Sequence, residues 1–170
     1  MKKFISRYAS IKSTLLLLGL VLVFNLVVFP FAHPAGLKLG ILDLYFSYSV
    51  MEAYQLLDTY TEANRHTYLL VELTVDLVYP WVYSFALCFL IFLLSSKLNL
   101  SLFPFLILIV DYFENFGIAT LIYYYPQKLL YIAAVTSLFT SIKWVLVILS
   151  VLIVLYGLTA KGYRFMMKNN

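Results

Sequence analysis

The chain has 170 residues, 64% of them hydrophobic and 12% charged, with a formal net charge of +4 and a mean hydropathy of +0.93. A soluble domain of this size has too little interior to hide so much apolar surface, so most of the chain is expected to be solvated by lipid. One cysteine, Cys88, excludes an intramolecular disulfide and any CxxC site, and His33 and His66 do not form an HExxH zinc pattern.

No GxxxxGK[ST], GxGxxG or GxSxG motif is present. The excess of basic residues is accounted for by membrane topology, so nucleic acid is not an expected partner.

A helix needs ~20 apolar residues to cross the ~30 Å of bilayer hydrocarbon. Four runs qualify: Thr14–Phe31, Tyr68–Leu94, Leu102–Tyr125 and Leu129–Leu158. The expected fold class is all-α, an integral membrane four-helix bundle forming a single membrane domain over residues 1–170. The first run follows Lys2, Lys3, Arg7 and Lys12, as a signal peptide would. It is too long for an h-region and leaves through Pro30-Phe31-Ala32-His33-Pro34 rather than an A-x-A site, so it is read as a retained span.

The external segment, residues 32–67, joins spans 1 and 2. Ile41 to Ser47 alternates weakly and reads as a short strand or extended lead-in. Ser49 and Glu52 then fit a capping box. Val50, Ala53, Tyr54, Leu57 and Tyr60 recur at helical spacing, with Glu52, Gln55, Asp58 and Glu62 opposite. An amphipathic helix over about 49–62 is expected to lie flat on the outer end of the bundle. It reads as a lid over a cavity or as a surface helix filling the connection.

In span 2, Arg65, Tyr68, Glu72, Asp76, Tyr79 and Tyr83 are spaced to share one helix face. Pro80 is expected to bend this span and to free a carbonyl near Asp76. Span 3 carries Asp111, Glu114 and Asn115 on one side. Span 4 carries Thr136, Thr140, Lys143 and Ser150 on one stripe, and span 1 offers only Asn25.

An ionisable group at the bilayer centre costs at least ~2.5–3.5 kcal/mol on insertion scales. Glu72, Asp76, Asp111, Glu114 and Lys143 are therefore read as one polar centre. Lys143 is expected to neutralise Asp111 or Glu114, leaving the other acids to share protons, bind a cation or face water.

Lysine and arginine counts set the orientation. Lys2, Lys3, Arg7, Lys12, Lys97, Lys161, Arg164 and Lys168 fall on one side, and Lys38, Arg65 and Lys128 on the other. Both termini are thus expected in the cytoplasm, and a bacterial inner membrane is the simplest setting.

Two local patterns, Tyr68-x7-Asp76-x2-Tyr79-Pro80-x2-Tyr83 and Asp111-x2-Glu114-Asn115, occur together with Asp43-Leu44-x-Phe46-Ser47-Tyr48 and Glu52-Ala53-Tyr54. In these the chain resembles small uncharacterised bacterial four-span membrane proteins, a resemblance that implies architecture and no activity. The architecture is also loosely similar to the sterol-isomerase and sigma-2-receptor group, whose intramembrane pocket holds acids. That isomerase chemistry uses a histidine within a span, and this chain has none there, so no residue is carried over.

Three functional readings follow. The first is a site for a small ligand, cation or protons, built from Glu72, Asp76, Tyr79, Tyr83, Asp111, Glu114, Asn115 and Lys143. With only four spans, it implies a homodimer or a larger membrane partner in addition to the lipid bilayer. The second is a lipid-modifying enzyme with Asp76 as base and Glu114 as acid, Tyr79 and Asn115 positioning substrate. No resident cofactor is expected, although the carboxylates could hold Mg²⁺ or Mn²⁺. The third is an accessory subunit whose polar stripe fixes helix packing.

Overall fold

The computed structural model describes residues 2–33 and 38–169. Every regular element among them is helical: α1 (Lys2–Tyr8), α2 (Ile11–Ala32), α3 (Val50–Thr59), α4 (Glu62–Glu72), α5 (Val75–Ser95), α6 (Leu98–Ser101), α7 (Pro104–Tyr124) and α8 (Leu130–Asn169). Four stretches are long and apolar enough to cross a membrane: Ile11–Ala32, Glu62–Ser95, Leu98–Tyr124 and Leu130–Arg164. The chain thus has the make-up of a multi-pass integral membrane protein.

Span 1 is α2. Ser10 and Ser13 cap its start reciprocally, and a π-helical turn at Phe24–Val28 precedes Pro30, whose ring cannot donate to the carbonyl of Leu26. Its only clearly buried residue in Ile11–Val23 is Thr14, and its packed partner is span 2. Most of its surface is therefore left to lipid.

Span 2 is α4 and α5 with a break at Leu73–Thr74, where the backbone of Thr74 leaves helical geometry (φ −130°, ψ −75°). The sequence places the distortion at Pro80, but Pro80 lies inside α5, six residues beyond the break. The interruption makes α5 begin anew and puts Asp76 in its first turn. Backbone N–H groups at a helix start favour a carboxylate there.

Span 3, α7, is the most enclosed, with half of its apolar window buried. It meets span 4 over Gly117, where a Cβ would fall 2.2 Å from Thr136 Oγ1. Span 4, α8, runs 40 residues. At ~1.5 Å per residue that is ~60 Å, about twice the hydrocarbon thickness, so the helix continues beyond the bilayer.

The connection from span 1 to span 2 packs into a hydrophobic core at the end of the bundle. The capping box at Ser49 and Glu52 forms, with Glu52 Oε2 accepting from Ser49 N at 2.6 Å and Ser49 Oγ accepting from Glu52 N at 3.2 Å. The carboxylate of Glu52 is held below its usual range by these bonds to Ser49. Helix α3 buries Ala53, Tyr54, Leu56 and Leu57. They pack with Tyr60 and Tyr68, and with Ile118, Leu121, Ile122 and Ala133, over the end of the bundle where span 3 finishes and span 4 begins. Arg65 is held by backbone carbonyls around the end of α3. Its Nη1 donates to the carbonyls of Leu57 and Tyr60, and its guanidinium stacks on Tyr125 at 4.2 Å. It thereby closes the C-terminal end of α3 onto span 2.

Ahead of α3, the lead-in is no strand: Leu42–Leu44 forms one 3₁₀ turn with extended residues on either side. Span 4 holds it by three side chains. Ser137 Oγ accepts from Tyr48 N at 2.9 Å, Ser141 Oγ donates to the Phe46 carbonyl at 3.1 Å, and Trp144 Nε1 donates to the Asp43 carbonyl at 3.2 Å. These positions are four and three residues apart on one helix face, which lets a strand-length segment lie along the helix without any sheet partner.

Candidate functional site

The tethered lead-in brings an acid into the bundle that the hydropathy pattern places outside it. Asp43 Oδ2 accepts from Tyr68 Oη at 3.0 Å, and that same hydroxyl accepts from Leu42 N at 2.9 Å. Its other oxygen lies 4.0 Å from Lys143 Nζ. Lys143 is also 3.5 Å from Asp111 Oδ1 and 2.7 Å from Glu114 Oε2. One ammonium therefore serves three carboxylates, from the lead-in and from two registers of span 3. The expected partner was Asp111 or Glu114, and the structure places both beside the lysine.

Around this hub lies a cavity of about 380 Å³. Its polar wall is formed by Asp43, Asp76, Asp111, Lys143, Tyr79, Tyr83, Asn25 and His33. Leu18, Leu87, Val147 and Val151 form part of its apolar wall, farther from α3 along spans 1, 2 and 4. Polarity is therefore graded along the bundle, polar on the α3 side and apolar toward the other end. Spans 1 and 4 both line the cavity, yet span 1 packs on span 2 and forms no comparable interface with span 4. Among the described residues the roof is formed by Ile41, Asp43 and Leu44, and no residue of α3 lines the cavity. Among the described residues the lead-in, and not α3, takes the position over the cavity.

Most polar wall groups are held. Tyr83 Oη donates to Asp111 Oδ2 at 2.7 Å. Asn25 Nδ2 donates to Tyr79 Oη at 2.7 Å, and the Tyr79 ring stacks on Phe24 at 5.3 Å. Two groups are not held. The carboxylate of Asp76 forms no ion pair or hydrogen bond with another described residue. His33, 4% exposed, has no partner for either ring nitrogen among the described residues. Its ring is packed against two others, stacked on Phe29 at 5.5 Å and edge-on to Tyr68 at 5.8 Å. Burial pushes its pKa below the ordinary value of 6.5, against the opposing pull of Asp43, so the ring is neutral and can both donate and accept.

The remaining sequence-nominated residues stand behind the cavity. Glu114 is fully buried against Lys143 and does not line it, so Asp76 and Glu114 do not face each other across a substrate space. Asn115 is occupied structurally: its Nδ2 donates at 2.7 Å to the carbonyl of Asp76, the group whose helical donor Pro80 removes. Glu72 is fully buried, with both oxygens unpartnered among the described residues.

Among the described residues no group of three or more His, Cys, Asp or Glu side chains is arranged to hold a metal ion. Sequence reasoning missed His33 and Asp43. The one available signal was an aspartate in a lead-in otherwise rich in Leu, Tyr and Phe. Comparison with family models, curated proteins and solved structures returned no match.

Proposed function

We propose that the protein binds a small lipid-soluble molecule with a cationic or hydroxyl-bearing head. The observation that carries this reading is the carboxylate of Asp76, unpartnered on the wall of a cavity whose far end is apolar. Three carboxylates line that wall against one lysine, and the lysine is already engaged by Glu114 and Asp111. A cation or a hydroxyl donor completes such a wall, and an anion is repelled by it. The volume of about 380 Å³ lies at the small end of the ~300–1,000 Å³ typical of ligand pockets.

The gradient of polarity matches that of one bilayer leaflet. An amphiphile lying in the leaflet on the α3 side can slide between spans 1 and 4 without inverting. In this reading α3 is external, both termini are cytoplasmic, and the host is a bacterial inner membrane. The bilayer supplies the ligand, and a homodimer or larger membrane partner takes it onward.

Dodecylamine, dodecanol and dodecyl sulfate, titrated into nanodisc-embedded protein carrying Trp81→Phe, test it through the fluorescence of Trp144, which lines the cavity. The amine or the alcohol is expected to bind and the sulfate not. A hydrogen bond to a charged group contributes ~1.5–3 kcal/mol, so Asp76→Asn should weaken amine binding about tenfold or more. Equal responses from all three chains, or unchanged affinity in Asp76→Asn, would refute the reading.

A further inference from the structure

His33 is the polar side chain of the cavity wall that charge recognition at Asp76 leaves unused. It is 4% exposed, lines the cavity, and neither ring nitrogen has a hydrogen-bond partner among the described residues. Tyr68, whose ring it meets, is no candidate, because its hydroxyl is already engaged by Asp43 and Leu42 N. A buried donor or acceptor left without a partner costs free energy, which a ligand group bonding to it recovers.

Ring contacts place His33 and Asp76 in one layer. Phe29 on span 1 meets Tyr79 on span 2 edge to face, with centroids 5.0 Å apart. The two spans run in opposite directions, since Phe4 packs on Phe85 and His33 on Tyr68. From the Phe29–Tyr79 contact, one turn toward α3 therefore leads to His33 on span 1 and to Asp76 on span 2. At that depth the cavity wall offers a carboxylate on one span and an imidazole on the other.

An ammonium answers Asp76, but it can only donate to an imidazole, and a carbonyl can only accept from one. A hydroxyl does either, so it suits each ring nitrogen whichever carries the proton. The carboxylates of Asp43 and Asp76 keep an anionic group away from the ring. Asp76 and Leu87 both line the cavity and lie eleven residues apart on α5, a distance of ~16 Å. A cavity of that length with a volume of about 380 Å³ is narrow, and holds one alkyl chain rather than two. Resting on the ligand-binding reading above, we propose that His33 is a second recognition point and that the ligand is a single-chain amino alcohol. Its ammonium meets Asp76, and its hydroxyl, on the neighbouring carbon, meets His33.

A vicinal aminododecanol and dodecylamine share chain and charge and differ by one hydroxyl. Both are titrated into nanodisc-embedded Trp81→Phe protein, with affinities referred to the ligand present in the bilayer. The amino alcohol should bind about two- to tenfold tighter, the worth of one neutral hydrogen bond. His33→Phe keeps a ring beside Phe29 and Tyr68 but has no nitrogen, and in it the ratio should fall to about one.

Equal affinities with His33 present, or an undiminished ratio in His33→Phe, would overturn the proposal. If those equal affinities are still weakened by Asp76→Asn, the ligand-binding reading stands. Amine binding indifferent to Asp76→Asn would overturn both. A second measurement leaves His33 untouched. His66→Gln makes His33 the one histidine of the chain, and the nitrogen-15 signals of its ring should shift more with the amino alcohol than with dodecylamine. Identical spectra with the two ligands would refute the hydroxyl contact.

Discussion

Replacing Lys143 by Met keeps the length and apolar stem of the side chain and deletes only the charge. The ammonium lies 2.7 Å from Glu114, 3.5 Å from Asp111 and 4.0 Å from Asp43. At an effective dielectric of ~20, unit charges at those separations attract by roughly 6, 5 and 4 kcal/mol. Several kcal/mol of desolvation per ion opposes this, so the net value of the cluster is much smaller than the sum. Removing the lysine nevertheless leaves three carboxylates facing one another, and breaking a buried pair costs ~3–5 kcal/mol. For a chain of this length each kcal/mol moves the melting temperature by ~2–4 °C, so a fall of about 6–20 °C is expected.

Thermal unfolding in detergent, followed by the fluorescence of Trp144, whose ring lies 5.9 Å from Lys143 Nζ, reads this directly. Adding Glu114→Gln to Lys143→Met should restore more stability than adding Asp111→Asn or Asp43→Asn, in the order of the distances. A Lys143→Met protein that melts with the unsubstituted one would refute the ion-pair reading. Stronger rescue from Asp43→Asn than from Glu114→Gln would refute the geometry.

Two further tests concern packing around the same centre. Asn115→Leu should destabilise by ~1–3 kcal/mol, because it strips the donor from the Asp76 carbonyl. In a Pro80→Ala background, where a backbone N–H can serve that carbonyl, the loss should shrink. Equal losses in both backgrounds, measured by denaturant or thermal melts, would separate Asn115 from Pro80. Gly117→Ala drives a methyl to 2.2 Å from Thr136 Oγ1 and 2.8 Å from its Cγ2, so spans 3 and 4 must part. Overpacking of this kind costs ~1–3 kcal/mol, and Thr136→Ala should recover part of it. Undiminished stability in the Gly117→Ala protein would mean that the two spans do not meet there.

The legible part of this protein was carried by period and hydropathy. Four apolar runs predicted four spans, and Ser49 with Glu52 predicted the start of α3. Acids at helical spacing in spans 2 and 3 pointed to the side on which Lys143 would be found. These are local properties, written in residues a few positions apart. Pro80 was read correctly as freeing a carbonyl near Asp76, but neither the donor that satisfies it nor the break at Leu73–Thr74 followed from the local sequence. Gly117 carries no local signal of its role, because the side chain it makes room for, Thr136, lies on another helix.

By itself the sequence determined the lipid solvent, the all-helical class and the presence of a carboxylate-rich centre, because burying charge in hydrocarbon is costly wherever the helices happen to pack. Which acids would face a ligand was a tertiary decision. Glu114, nominated from spacing, is turned into Lys143 behind the cavity, and Asn115 is taken up by a backbone carbonyl. Asp43, which lies outside every apolar run, is folded onto the cavity wall by the lead-in that Ser137, Ser141 and Trp144 fasten to span 4, and His33 reaches the wall at the end of span 1, stacked on Phe29. A periodic pattern can assign a residue to a face of its own helix. Only the crossing of separate segments decides whether that face meets a lysine, a carbonyl or open space.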